Sequence, residues 1–190
     1  MVHMMRSIIG LLLALLFAST AMAKEYPFSK QLKASLVFRE DTEEMKHYGY
    51  PHVLLAYLCL ENKNYCVVFW AGDSIGVEAE LFDSKGKPAA LCSGAASIGS
   101  GFSHYWIPYG SRLDWLISHS GITLQGDRKK SYALIVGGRG WLIPIDSVES
   151  YSLRIRLLGI PWEKNGNFDD LFKHQEILLE VPATKLKITK

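Results

Sequence analysis

Two apolar runs separated by four polar residues constrain this chain more than any other feature. Val53 to Leu60 reads V-L-L-A-Y-L-C-L, Tyr65 to Trp70 reads Y-C-V-V-F-W, and E-N-K-N lies between them. Each run is too short for a typical helix, and two short apolar runs flanking a polar Asn-Lys centre read as strands joined by a turn, a β-hairpin. A loop centred between Asn62 and Lys63 places Leu60 opposite Tyr65, Cys59 opposite Cys66, and Leu58 opposite Val67. Leu55, Tyr57, Val68 and Trp70 fall on one face, with Ala56, Leu58, Val67 and Phe69 on the other. Both faces are apolar, so these are expected to be central strands. Opposed strand residues lie at a separation that overlaps the one a disulfide accepts, so a Cys59–Cys66 bridge is expected, fixing register more than adding stability. Cys92, beside Ala89, Ala90 and Leu91, is then a leftover buried thiol, although sequence leaves its pairing with Cys59 or Cys66 open.

Similar short runs recur along the chain. Leu32 to Phe38 places Leu32, Ala34, Leu36 and Phe38 in phase. Val77 to Phe82 precedes the turn D-S-K-G-K, and Ile122 to Gln125 is a further run. Tyr132 to Val136 and Trp141 to Ile145 bracket G-G-R-G, a hairpin signal. Leu153, Ile155 and Leu157 alternate with Arg154 and Arg156, and Gln175 to Val181 ends at Pro182. Ser111 to Ser118 has a capping-box flavour, but Leu113, Trp115 and Ile117 alternate and favour a strand. Asp41 to His47 is read as two helical turns on a connection. The expected fold is all-β: an elaborated antiparallel β-sandwich, immunoglobulin-like or jelly-roll-like, with little helix.

The start of the chain points to export. Ile8 to Phe17 is an unbroken apolar run after Arg6, and Ala21 and Ala23 supply an A-x-A cleavage pattern, so residues 1–23 read as a secretory signal peptide. The run is shorter than the roughly 20 residues a spanning helix needs, and no cysteine follows the cleavage site to carry a lipid. The mature chain, 24–190, is expected to be one β-sandwich domain in the periplasm or outside the cell, without a transmembrane anchor. The chain has 21 basic and 19 acidic residues, one of the basic being Arg6, so the mature part is almost neutral. That composition gives no electrostatic basis for binding nucleic acid.

Catalytic patterns fall short. A-A-S-I-G, residues 95–99, approximates a nucleophile elbow at Ser97, with Asp169 or Asp170 and His174 as triad partners in chain order, but the alternating strands and helices of that hydrolase fold are lacking. Residues 94–101 also approach two phosphate-binding patterns and fail both, with Ser100 where a P-loop needs Lys and His104 where a dinucleotide motif needs Gly. Asn165, Asn167, Asp169 and Glu176 match calcium-loop spacing, but Asp170 replaces the sharp-turn Gly. His47, His52, His104, His119 and His174 lack zinc-ligand spacing. No metal or cofactor is expected.

The segment Phe102 to Tyr109, F-S-H-Y-W-I-P-Y, is singled out as a binding surface. Stiff amphipathic side chains such as these anchor protein interfaces at low entropy cost. Phe102, Tyr105, Trp106 and Tyr109, with Arg139 on the G-G-R-G turn, are the candidate partner-binding residues, and Trp162 is a weaker one. The competing reading makes Phe102, His104 and Trp106 the inward side of a strand. Function is therefore expected by elimination: an exported, non-enzymatic protein-binding module of the inhibitor or immunity type. The alternatives are a carbohydrate- or envelope-ligand-binding sandwich using the same aromatics, and a small serine hydrolase built on Ser97.

Overall fold

The computed structural model describes residues 25–41, 52–72, 76–92, 102–118, 126–127, 129–161 and 175–189. They form two β-sheets packed face to face. The strands are β1 (Leu32–Asp41), β2 (Val53–Asn62), β3 (Val67–Gly72), β4 (Val77–Phe82), β5 (Phe102–Ile107), β6 (Arg112–Leu116), β7 (Ser131–Val136), β8 (Arg139–Pro144), β9 (Ser152–Pro161), β10 (Glu176–Lys185) and β11 (Ile188–Thr189), with a 3₁₀ turn at Ile145–Ser150. The first sheet has the order β11-β1-β2-β7-β8, with β6 also on β2; the second has the order β10-β9-β3-β5, with β4 also on β9. The expected all-β sandwich is borne out. Pairing is antiparallel except for β1 with β11 and the single contact of Val53 with Ala133 between β2 and β7. Among the described residues, no helix is long and apolar enough to cross a membrane.

Alternation fixes which residues face inward. Leu54, Ala56, Leu58 and Leu60 of β2 are fully buried and meet Phe69 of β3, Ala79 and Leu81 of β4 and Leu153, Ile155 and Leu157 of β9 in one continuous core. Burying each large side chain of this kind contributes about 1.5–3 kcal/mol. Outside the core on β9, Arg154 and Arg156 lie opposite Glu80 and Glu78 of β4, and Arg156 lies opposite Glu180 of β10. Arg156 Nε donates to Glu180 Oε2 at 2.9 Å, and Arg154 forms a hydrogen-bonded pair with Glu80. These guanidinium groups hold both carboxyls below the usual carboxylate range.

Each sheet has one long strand whose second edge is shared by two shorter strands. On β2, β6 covers Tyr57 to Glu61 and β7 begins at Val53. At the handover, Ala56 donates its N–H to the buried Ser118 Oγ at 3.0 Å and accepts from Ile117 N at 2.9 Å. On β9, β4 covers Ser152 to Leu157 and β3 covers Ile160 and Pro161. There Gly76 O accepts from Leu158 N at 2.8 Å, filling the gap between the two short strands. These bonds pair the backbone groups of Ala56 and Leu158 where one strand gives way to the next.

The β2–β3 hairpin is corrected. Both strands exist, but β2 belongs to the first sheet and β3 to the second. Both edges of β2 are occupied by β1 on one side and β6 and β7 on the other, and β3 lies between β9 and β5, so neither strand pairs with the other. The face assignment survives the change: Ala56, Leu58, Val67 and Phe69 are the inward set. The disulfide does not survive it. Cys59 lies opposite Ser35 and Asp114 on the outward side of the first sheet, Cys66 precedes β3, and all three cysteines are free thiols. A side chain directed away from the sandwich cannot reach across a gap of about 10 Å between sheets. Cys92 is a half-buried thiol packed with Leu55 and Leu142 on Val53, Ala133 and Ile135, and its N–H donates to Gly140 O at 2.9 Å.

Two further expectations gain detail. Residues 112–116 form a strand, and Tyr132–Val136 with Trp141–Pro144 are borne out as the core of a hairpin whose turn holds Gly137 and Gly138 at positive φ, Ile145 opening the 3₁₀ turn instead. The β10 strand runs through Pro182 to Lys185, with register shifts from Ile177 to Leu179 and from Val181 to Thr184. Bulges of that kind accommodate a residue without an N–H. Of the helical turns expected over Asp41 to His47, Asp41 is instead the last residue of β1, opposite Val53, while residues 42–50 and the run Ile122 to Gln125 lie outside the described residues.

Candidate binding site

The end of the sandwich where β2 stops is organised by Asn62. Its side chain is the last inward one on β2 and is 2% exposed. A polar group at that depth is costly unless its hydrogen bonds are made. They are made on every side. Nδ2 donates to Tyr65 O and to Ile107 O, both at 2.7 Å, and Oδ1 accepts from Asn64 N at 3.0 Å. Its backbone N–H donates to Ser111 O at 2.9 Å, and its carbonyl accepts from Gly110 N at 3.0 Å. The Asn62 side chain thus ties the β2–β3 turn to the end of β5, and its backbone holds the β5–β6 turn. The turn that precedes β1 joins them, because Asn64 Nδ2 donates to Lys30 O at 3.0 Å and Lys63 N to Gln31 O at 3.4 Å.

The β5–β6 turn, Pro108 to Ser111, is shaped by Gly110 at φ +72 and by Ser111, whose Oγ donates to Pro108 O at 2.6 Å. It lifts Tyr109 out of the fold. Three large aromatic side chains stand on this platform: Tyr65 is 93% exposed, Tyr109 74% and Trp106 66%. The Trp106 indole N–H is directed at Cys66 Sγ, so the ring lies beside the β2–β3 turn. Two open grooves flank Tyr109. One, of about 520 Å³, is lined by Glu61, Lys63, Tyr109, Ser111 and Arg112; the other, of about 530 Å³, by Lys63, Asn64, Tyr65, Cys66 and Tyr109.

The charged groups around the first groove are mostly paired. Glu61 faces Lys33 at 3.6 Å and Arg112 at 3.9 Å, and Arg112 Nε bonds Asp114. The Arg112 hydrogen bond holds the Asp114 carboxyl below its usual range. Arg112 Nη2 also reaches Cys59 Sγ at 3.2 Å, yet burial, followed by Asp114, pushes the Cys59 thiol up. That thiol stays protonated at neutral pH and is a poor nucleophile.

Of the residues singled out from sequence, Trp106 and Tyr109 are brought together at this end. Tyr105 is not part of the surface. Alternation along β5 turns it inward, where it stacks on Phe69 at 5.3 Å between centroids and meets Trp115 at 4.6 Å. The competing strand reading is half right: the segment to Ile107 is a strand, but Trp106 and His104 point outward. Phe102 begins that strand opposite Gly72. Arg139 begins β8 directly after the β7–β8 turn, and its Nη1 donates to Ala79 O at 3.1 Å across the sandwich, a contact that does not involve the aromatic group. Ser97, Trp162, Asn165, Asn167, Asp169, Asp170 and His174 lie outside the described residues.

Sequence reasoning missed Tyr65, Lys63 and Asn62, all assigned to a plain hairpin. The signal available was an Asn followed closely by a second Asn and a Tyr, residues that build turns through side-chain hydrogen bonds. Among the described residues there is no group of three His, Cys, Asp or Glu side chains that could hold a metal ion. His52 instead pairs with Glu40 through Nδ1 at 2.7 Å, and His104 packs on Trp70 at 4.9 Å. No family model, curated protein or solved structure matches this chain.

Proposed function

We propose that this chain is an exported, non-enzymatic binding module that holds a protein partner on the aromatic end of its sandwich, in the manner of an inhibitor or immunity-type protein. The observation that carries this reading is the exposure of Tyr65, Trp106 and Tyr109 on turns whose backbones are tied together through buried Asn62. Large aromatic side chains so exposed are rarely left bare without a use, and fixed turns spare the entropy of ordering them on binding. The leader-like residues 1–23 support export, and the free thiols do not oppose it, because export permits disulfides without requiring them.

A second reading, binding of a carbohydrate or another envelope ligand, rests on the two grooves that flank Tyr109 with aromatic and polar side chains. One experiment separates the two. Purified mature protein and its Trp106→Ala/Tyr109→Ala variant are used to capture partners from an envelope extract and are applied to a glycan array. A protein retained by the wild type and lost with the variant supports the first reading. Glycan binding lost with the variant supports the second, and identical behaviour of the two proteins in both assays sinks the patch as a binding site.

A further inference from the structure

We infer that the partner docks an acidic segment on this patch, with a carboxylate received by Lys63 and an apolar side chain set against Tyr65, Tyr109 and Trp106. The inference rests on the binding reading above and adds the chemistry of what is bound. Lys63 and Tyr109 are the residues common to both grooves, so the ammonium and the phenol ring form the ridge between them. The neighbouring cations are already engaged: Lys30 by Glu25 at 2.6 Å, Lys33 by Glu61 at 3.6 Å, and Arg112 by Asp114 and Glu61. Among the described residues no carboxylate pairs with Lys63, which is exposed.

Isolated surface lysines are ordinary, and Lys85, Lys87 and Lys129 are others here. What sets Lys63 apart is its setting. Its turn is fixed by the Asn62 and Asn64 hydrogen bonds and by Lys63 N on Gln31 O, and it shares both grooves with Tyr109 and one with Tyr65. A carboxylate arriving between these rings leaves bulk water as it meets the ammonium, so the pair forms in a partly desolvated place where attraction exceeds that of an open surface pair. The second groove carries Lys63 and no carboxylate in its lining, whereas Glu61 lines the first, which makes the second groove the favourable anionic position. A peptide chain suits the spacing better than a free small anion, because charge and apolar contact are offered by different residues along the ridge.

The test is selection from a displayed library of short random peptides against the mature wild type, Lys63→Glu and Trp106→Ala/Tyr109→Ala, each first shown to keep the wild-type thermal midpoint. The wild type is expected to enrich peptides that combine Asp or Glu with a large apolar residue. Lys63→Glu should bind synthetic copies of those peptides about tenfold more weakly and should enrich Lys- or Arg-bearing peptides in their place. Binding to the wild type should weaken as salt rises. Enrichment that needs Trp106 and Tyr109 but ignores the charge at position 63 overturns the acidic-segment inference and leaves the binding patch standing. Failure to enrich any peptide that depends on the two aromatics overturns the acidic-segment inference and the protein-partner reading together, and retention of acidic glycans with no peptide selected does the same while moving the patch to the envelope-ligand reading.

Discussion

At the scale of single residues, Asn62 has the clearest structural role and Trp106 and Tyr109 the clearest surface one. Asn62→Ala removes a donor from two carbonyls that remain at the sandwich end, and a buried acceptor without a partner costs about 1–3 kcal/mol. The expected outcome is a loss of that size in urea-melt stability, together with weakened binding, because the β2–β3 turn that carries Tyr65 loses its side-chain tie to the end of β5. Trp106→Ala and Tyr109→Ala should behave in the opposite way. Both side chains stand in solvent, so their removal should change stability by about 0.5 kcal/mol or less while abolishing partner capture. A truncation that unfolded the protein instead would mean that these rings pack in the core. The contrast between the three substitutions separates support of the site from contact at the site.

Among the elements, the β7–β8 hairpin and the three-strand charge ladder make separable predictions. Gly137 sits at φ +57, and a Cβ there would lie 2.1 Å from Val77 O, so Gly137→Ala is both strained and blocked by backbone. Gly86, at φ +74, has nothing within 4 Å of such a Cβ, so Gly86→Ala carries the backbone strain alone, about 1 kcal/mol. Chemical denaturation of the two variants should show Gly137→Ala to be the more damaging by a clear margin. In the ladder, the folded-state carboxyls of Glu80 and Glu180 titrate below the usual range because Arg154 and Arg156 stabilise their charged forms. A depressed carboxyl contributes stability at pH values above its unfolded range and loses it as pH falls through the folded value. Thermal midpoints of the wild type should therefore fall between about pH 5 and pH 3, and Arg156→Met should flatten that fall. An unchanged slope in the variant would show that the ladder carries no linkage.

For the molecule as a whole, the division of strands between two sheets decides the chemistry of the cysteines. Cys59 is 1% exposed and outward on β2, while Cys66 is exposed at the turn. Alkylation of native protein should label Cys66 quickly and Cys59 only after unfolding, and peptide mapping without reductant should yield no Cys59–Cys66 link. Recovery of that link would place β2 and β3 in one hairpin and overturn the topology. The all-β class, the positions of most strands and the two faces of β2 and β3 were legible in the sequence, because alternation and turn residues act over a few neighbours and need no knowledge of the rest of the fold, whereas the inward side of β5 was not, since both of its faces carry aromatic residues. Tyr109 was legible for the same reason, lying next to Pro108 and Gly110 in a turn. Which strands become neighbours was not legible. Pairing β2 with β3 and pairing β2 with β1, β6 and β7 satisfy the same local pattern, and the choice depends on how the whole chain fills both edges of each strand while keeping one core dry. The same choice placed Lys63 and Tyr65 with Tyr109 around the grooves, brought the β5–β6 turn onto Asn62, and left the cysteines apart.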